Sequence, residues 1–137
     1  RTGQGWEVLP RLLTAGEDPN VRAEAANALA SYGVERSWPL LQAAFSADAA
    51  WLVRCSILSA LAEQPEIKLT WLLELAQVAI TDGDGTVRVS GAEILGRIVR
   101  DGIDQPIGAE ARALLQPLQQ DVDHRGVSAA LNGLQIS

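Results

Sequence analysis

Apolar side chains recur along this chain at intervals of three, four and seven residues, with small or polar residues between them, and they do not alternate over the length of a strand. From Val53, the set Ile57, Leu58, Ala60 and Leu61 falls at i+4, i+5, i+7 and i+8, which is one face of an α-helix. Comparable sets begin at Val21 and Val87. Four stretches align on an arginine: "DPNVRAEAANALA" from Asp18, "AAWLVRCSILSALA" from Ala49, "DGTVRVSGAEILG" from Asp84 and "DVDHRGVSAALNGL" from Asp121. Arg22, Arg54, Arg88 and Arg125 are thus spaced by 32, 34 and 37 residues. In the first three stretches a Val precedes the Arg, and Leu29, Leu61 and Leu95 follow at a constant distance. In the fourth, His124 and Asn132 replace the Val and the Leu, while Leu131 and Leu134 keep an apolar stripe. One helix is written four times, the last copy loosely.

A second helix is predicted ahead of each. Trp6, Trp38 and Trp71 lie 16, 16 and 17 residues before their arginines. Leu9, Leu12 and Leu13 follow the first, Leu41 and Phe45 the second, Leu75 and Val78 the third, and in the fourth unit Gly108 or Ala109 takes the place of the Trp. A bulky residue that returns with the repeat reads as a knob between neighbouring helices in preference to an aromatic cage. Breakers cluster where each helix pair should close, in "SYGVER", "EQPEIK" and "RDGIDQPIG". Pro10 and Pro117 fall inside predicted first helices and are expected to end or bend them. The expected organisation is one all-α domain of about four helical hairpins, covering roughly residues 5–33, 34–65, 66–102 and 103–137. One hairpin cannot cover its own apolar face, so each must stack on the next.

The residues "VLPRLLTAGEDPNVRAEAANALASYG" resemble a HEAT repeat, particularly the short HEAT-like class named after phycobilisome lyases: they carry the turn Asp, the Val-Arg pair and the small and apolar signature of Ala25, Ala28 and Leu29. The resemblance extends over most of the chain. It implies an armadillo-like, right-handed α-α superhelix that serves as a protein-binding scaffold. It also implies a hydrogen-bonded ladder between units, in which Asp18, Asp84 and Asp121 meet Arg22, Arg54, Arg88 and Arg125. Asp48 lies six residues before Arg54 in place of four, so the second rung is expected to be shifted or missing.

Composition narrows the chemistry. The 137 residues are 47% apolar and 20% charged, as in an ordinary globular chain. Seventeen acidic residues against eleven basic ones give a net charge of −6, which disfavours nucleic acid as a partner. One cysteine and one histidine fall short of a disulfide framework or a structural metal site, so neither metal nor cofactor is expected and the compartment reads as reducing and cytoplasmic. No segment approaches the roughly twenty apolar residues of a membrane helix, and the N-terminus lacks a signal-peptide pattern. Because the chain opens on Arg1, it reads as a trimmed chain or one stretch of a longer array, and a leader ahead of it stays open.

The run "TDGDGTVRV" resembles the centre of an EF-hand. That assignment would require acidic ligands at Ile80 and Gly91, because calcium takes six to eight oxygens. The alternative is capping. Asp18, followed by Pro19, reads as a helix N-cap with proline at the first helical position, and Asp84 and Asp121 are placed to do the same. Cys55 reads as a small, mostly buried side chain and His124 as a helix-terminal polar residue; no catalytic residues emerge.

Function then falls to the surface that stacking creates. In HEAT arrays the second helices line the concave side, where exposed positions recur three and six residues after the Val. These are Glu24 and Asn27, Ser56 and Ser59, Ser90 and Glu93, with Glu63 and Arg97 further along. They describe a smooth, mildly acidic groove for another protein, which charge reversal at Glu63 and Glu93 is expected to weaken. Three classes stay open: a non-enzymatic adaptor; a bilin lyase, isomerase or phycobilisome-degradation factor, which the lyase-named resemblance implies; and an assembly or regulatory subunit of a larger enzyme. Purification with a coloured tetrapyrrole marks the second, and co-purification at fixed stoichiometry the third. Oligomeric state is not written in the sequence.

Overall fold

The computed structural model describes residues 3–135, with side chains from Trp6 onward. Its elements are α1 (Gly3–Ala15), α2 (Pro19–Ala30), α3 (Val34–Ala47), α4 (Trp51–Ala62), α5 (Leu69–Ala79), α6 (Gly85–Asp101), α7 (Pro106–Leu115), a 3-10 turn (Gln116–Gln120) and α8 (His124–Leu134). No strand occurs among the described residues. The fold is an all-α helical repeat. It divides between Ile67 and Lys68 into two compact units of two hairpins each.

Three helices, α2, α6 and α8, start where a side chain satisfies leading N–H groups. Asp18 caps α2, its Oδ1 accepting from Asn20 N at 2.8 Å, with Pro19 occupying a position that needs no donor. Asp84 caps α6 by accepting from Thr86 N and Val87 N at 2.8 and 3.2 Å. Gly33, at φ 109°, makes the turn from α2 into α3, a conformation that glycine adopts without steric cost. Pro117 ends its helix as expected: α7 stops at Leu115 and the chain tightens into the 3-10 turn. Pro10 does not. It sits inside α1, which continues through Ala15 and buries Leu13 beyond the proline to 1% exposure.

In the first unit α2 packs on α1 and α4, and the fully buried side chains are Leu13, Leu29, Leu41, Val53, Ile57, Leu58 and Leu61. In the second, α6 packs on α5, α7 and α8 around Leu72, Val87, Leu95, Ile98 and Leu115. Full burial of each such side chain contributes about 1.5–3 kcal/mol. Ser37 is the buried polar side chain of the first unit; its hydroxyl donates to Gly33 O at 2.9 Å, so it carries no unmet hydrogen bond.

The tryptophans do not share one environment. Trp38 is buried, whereas Trp6 lies under the Arg36 guanidinium, 3.9 Å from its ring centroid, and Trp71 under the Lys68 ammonium at 4.5 Å. Trp6 is the fourth residue of its helix, Trp38 the fifth and Trp71 the third. Each single-residue slip turns a side chain by about 100° around the helix, so a constant spacing to the arginine does not hold one facing.

Candidate functional site

The turns ahead of the second helices set the register of everything that follows. The residues at the N-cap are Asp18, Ala50, Asp84 and Asp123. Two positions earlier stand Gly16, Asp48, Asp82 and Asp121. Three of these close the same local turn, their Oδ1 accepting from the N-cap N–H: Asp48 from Ala50 at 3.0 Å, Asp82 from Asp84 at 2.8 Å, and Asp121 from Asp123 at 2.8 Å. The fourth position after the N-cap is Arg22, Arg54 or Arg88. Each of these arginines folds back through Nη1 onto the carbonyl two residues before the N-cap: Gly16 O at 2.8 Å, Asp48 O at 3.0 Å and Asp82 O at 2.9 Å.

Two rungs of the ladder follow from this. Arg22 donates to Asp48 through Nε at 2.7 Å and Nη2 at 3.3 Å, and Arg88 donates to Asp121 through Nε at 2.8 Å and Nη2 at 3.1 Å. The acceptor is the carboxylate two residues ahead of the cap, so the rung expected to be shifted or missing is formed, shifted, by Asp48. Asp18 and Asp84 are spent on their own helices. Asp121, expected as a cap, is the ladder acceptor, and Asp123 caps α8 by accepting from Arg125 N at 2.9 Å.

The fourth unit had therefore been aligned two residues early. Its Val slot is Gly126, where any side chain would meet the Asp121 carboxyl carbon at 3.0 Å. Its Arg slot is Val127. Arg125 is no ladder arginine: it lies in the first turn of α8, donates to Asp123 through Nε at 3.1 Å and Nη2 at 2.7 Å, and reaches Thr86 Oγ1 at 3.1 Å. The chance "HR" dipeptide imitated the Val-Arg pair.

Ionisation follows these contacts. The Arg88 hydrogen bonds hold the Asp121 carboxyl below the usual carboxylate range. At Asp48 burial pushes the other way, but the hydrogen bonds from Arg22 and Ala50 N and the Arg22 charge outweigh it, so that carboxyl is lowered too. The side-chain and backbone hydrogen bonds from Arg125 bring Asp123 down to about 2.

With the register corrected, the recurring exposed columns extend into α8. The sixth position after the N-cap is Glu24, Ser56, Ser90 and Ala129; the ninth is Asn27, Ser59, Glu93 and Asn132. Glu24, Asn27, Ser59, Glu63 and Glu93 are exposed, and Ser56, Ser90 and Arg97 half-buried. In the second unit the columns flank a groove of about 580 Å³ between α6 and α8. Glu93, Arg97 and Arg100 line the α6 wall; His124, Arg125, Ala129 and Asn132 line the α8 wall. Gly96 and Gly133 form the floor, where a methyl group on Gly96 would sit 3.5 Å from Gly133 Cα. The two glycines let α6 and α8 approach closely at the floor, a methyl group on Gly133 meeting Leu115 Cδ1 at 2.6 Å, and the short side chains of Ser128 and Ala129 leave space above it. Glu93 and Arg97 are brought into this groove; Ser90 does not line it, and Glu24, Asn27, Ser56, Ser59 and Glu63 lie on α2 and α4 of the first unit. Arg100, His124, Arg125, Ala129 and Asn132 were missed; of the α8 members only Ala129 and Asn132 fall on the columns, and His124 and Arg125 enter through the packing of α8 on α6. With them the lining is not acidic: three arginines and a histidine face one glutamate.

The calcium-like run is occupied by its own backbone. Asp82 and Asp84 accept from main-chain N–H groups at the start of α6, and no group of three His, Cys, Asp or Glu suited to a metal occurs among the described residues. Cys55 is half-buried on α4, and His124 is the first, exposed residue of α8. No helix of the described residues is long and apolar enough to cross a membrane.

Compared with known families, residues 4–62 match the family model of HEAT repeats. Over those residues the chain is similar to HEAT repeats. The match spans α1 to α4; the cap, turn carboxylate and back-folded arginine recur in the third hairpin at Asp84, Asp82 and Arg88, and the fourth keeps the cap and the carboxylate without the arginine. The matched family is HEAT repeats in general and does not single out the lyase-type class. No curated protein and no solved structure matches the chain.

Proposed function

We propose that this HEAT-like protein is a non-enzymatic adaptor that holds another protein against the exposed face of its second helices. HEAT repeats in general serve as interaction scaffolds, because stacked hairpins expose one face of successive helices in a constant register. The observation that carries the reading is the groove between α6 and α8. It lies where Glu93 of α6 and Ala129 and Asn132 of α8 stand on those columns, its floor is glycine, and it combines a few convergent polar groups with open space.

The test is to fill the groove without touching the core. Ala129→Trp with Asn132→Trp is expected to abolish capture of the native partner from the source organism, quantified by mass spectrometry, while leaving the melting temperature within a degree or so, as surface changes do. Ser59→Trp examines the corresponding column of the first unit. An undiminished partner set with both variants would reject the adaptor reading.

A further inference from the structure

We propose that the α6–α8 groove takes an acidic peptide segment, whose carboxylates are received by the guanidinium groups of Arg100 and Arg125. The proposal rests on the adaptor reading and assigns the chemistry of the partner at that site.

The placement of the arginines carries it. The unit from Lys68 onward contains six Lys and Arg and nine Asp and Glu, yet three of the six cations line this groove and only one of the nine acids does. Asp101 and Asp123 offset that charge from outside the lining, so what the groove offers an anion is a set of exposed guanidinium N–H donors and not a net field. The heads of Arg100 and Arg125 are 62% and 59% exposed, so meeting a ligand costs little desolvation. They are also oriented. Asp123 grips Arg125 through two hydrogen bonds, and Asp101 takes Arg97 Nε at 3.2 Å and Arg100 Nε at 3.4 Å. Both carboxylates stand outside the lining, so they hold the guanidinium groups at its edge. A planar guanidinium fork matches a carboxylate.

A peptide fits better than a nucleic acid. Glu93 stands on the α6 wall, where a continuous polyphosphate would be repelled, whereas a peptide can turn an N–H or a cationic side chain toward it. Asn132 on the α8 wall offers both an amide donor and an acceptor to a peptide main chain.

A random peptide display library panned on the full chain tests this. Peptides enriched on the wild type should be rich in Asp and Glu, and Arg100→Glu with Arg125→Glu should weaken a synthetic copy of the best one about tenfold or more by fluorescence anisotropy. Replacing its Asp and Glu by Asn and Gln should have a similar effect and Glu93→Lys should tighten it, with circular dichroism showing every variant folded at the assay temperature. Enrichment of neutral or basic peptides that the arginine substitutions abolish would overturn the acidic assignment and keep the adaptor reading. Enrichment indifferent to the arginine substitutions and to Ala129→Trp with Asn132→Trp would overturn both. Tighter arginine-dependent binding of a single-stranded oligonucleotide than of any selected peptide, or no enrichment, would also overturn the proposal.

Discussion

Asp121 and Asp123 stand two residues apart and hold different bonds. Asp123 caps its own helix, whereas Asp121 closes the preceding turn and receives Arg88 from the neighbouring hairpin. Removing a cap typically costs about 1 kcal/mol, and Asp84→Ala should show that loss in urea denaturation. Asp121→Ala should cost about 2 kcal/mol, because a partly buried guanidinium loses two charge-assisted bonds together with the turn. Equal losses in the two variants would remove the distinction between cap and rung. The capping role of Asp84 was legible from spacing alone, since an N-cap is read from its own neighbours. The rung role of Asp48 and Asp121 was not, because the partner lies 26 or 33 residues away and only folding shows which carboxylate it meets.

At the scale of elements, α6 carries two glycines with opposite consequences. A methyl group on Gly91 would meet Ala79 Cβ at 2.8 Å and Ile80 N at 3.2 Å, where the end of α5 has no room to move. Gly96 leaves ordinary contact distance to Gly133. Gly91→Ala should therefore destabilise by about 1–3 kcal/mol through overpacking, whereas Gly96→Ala should be neutral or stabilise by up to about 1 kcal/mol through helix propensity. Thermal melts of the two variants should move in different directions, and a stabilised Gly91→Ala would contradict the close approach of α5 and α6. The helices themselves were readable from apolar spacing, and their boundaries from Gly, Pro and Asp. The facing of the tryptophans was not, because the first helices begin at different distances from the recurring turn and each residue of slip rotates the side chain.

Across the whole molecule, acid should act through a small set of carboxylates. Asp48, Asp121 and Asp123 all titrate below their ordinary value of 3.8 in the folded chain. Their contribution is complete above that value and is lost as pH falls through the lowered ones, so unfolding free energy should decline from about pH 4 toward pH 2. Asp48→Asn with Asp121→Asn should be less stable than the wild type at pH 7, and the gap should narrow toward pH 2. A constant gap would show that these ion pairs do not set the acid response.

The sequence by itself determined that the chain is helical, that it repeats, and that its Asp-Gly punctuation starts helices, because periodicity, capping and breakers are local properties carried by a few neighbouring residues. Only the tertiary structure decided which aspartate receives which arginine, where α8 falls in the repeat, and that α6 and α8 enclose a groove rich in arginine. Those depend on the facing of helices distant in sequence. A two-residue slip, invisible in the spacing of a single arginine, moves a cation from a ladder to the wall of a groove.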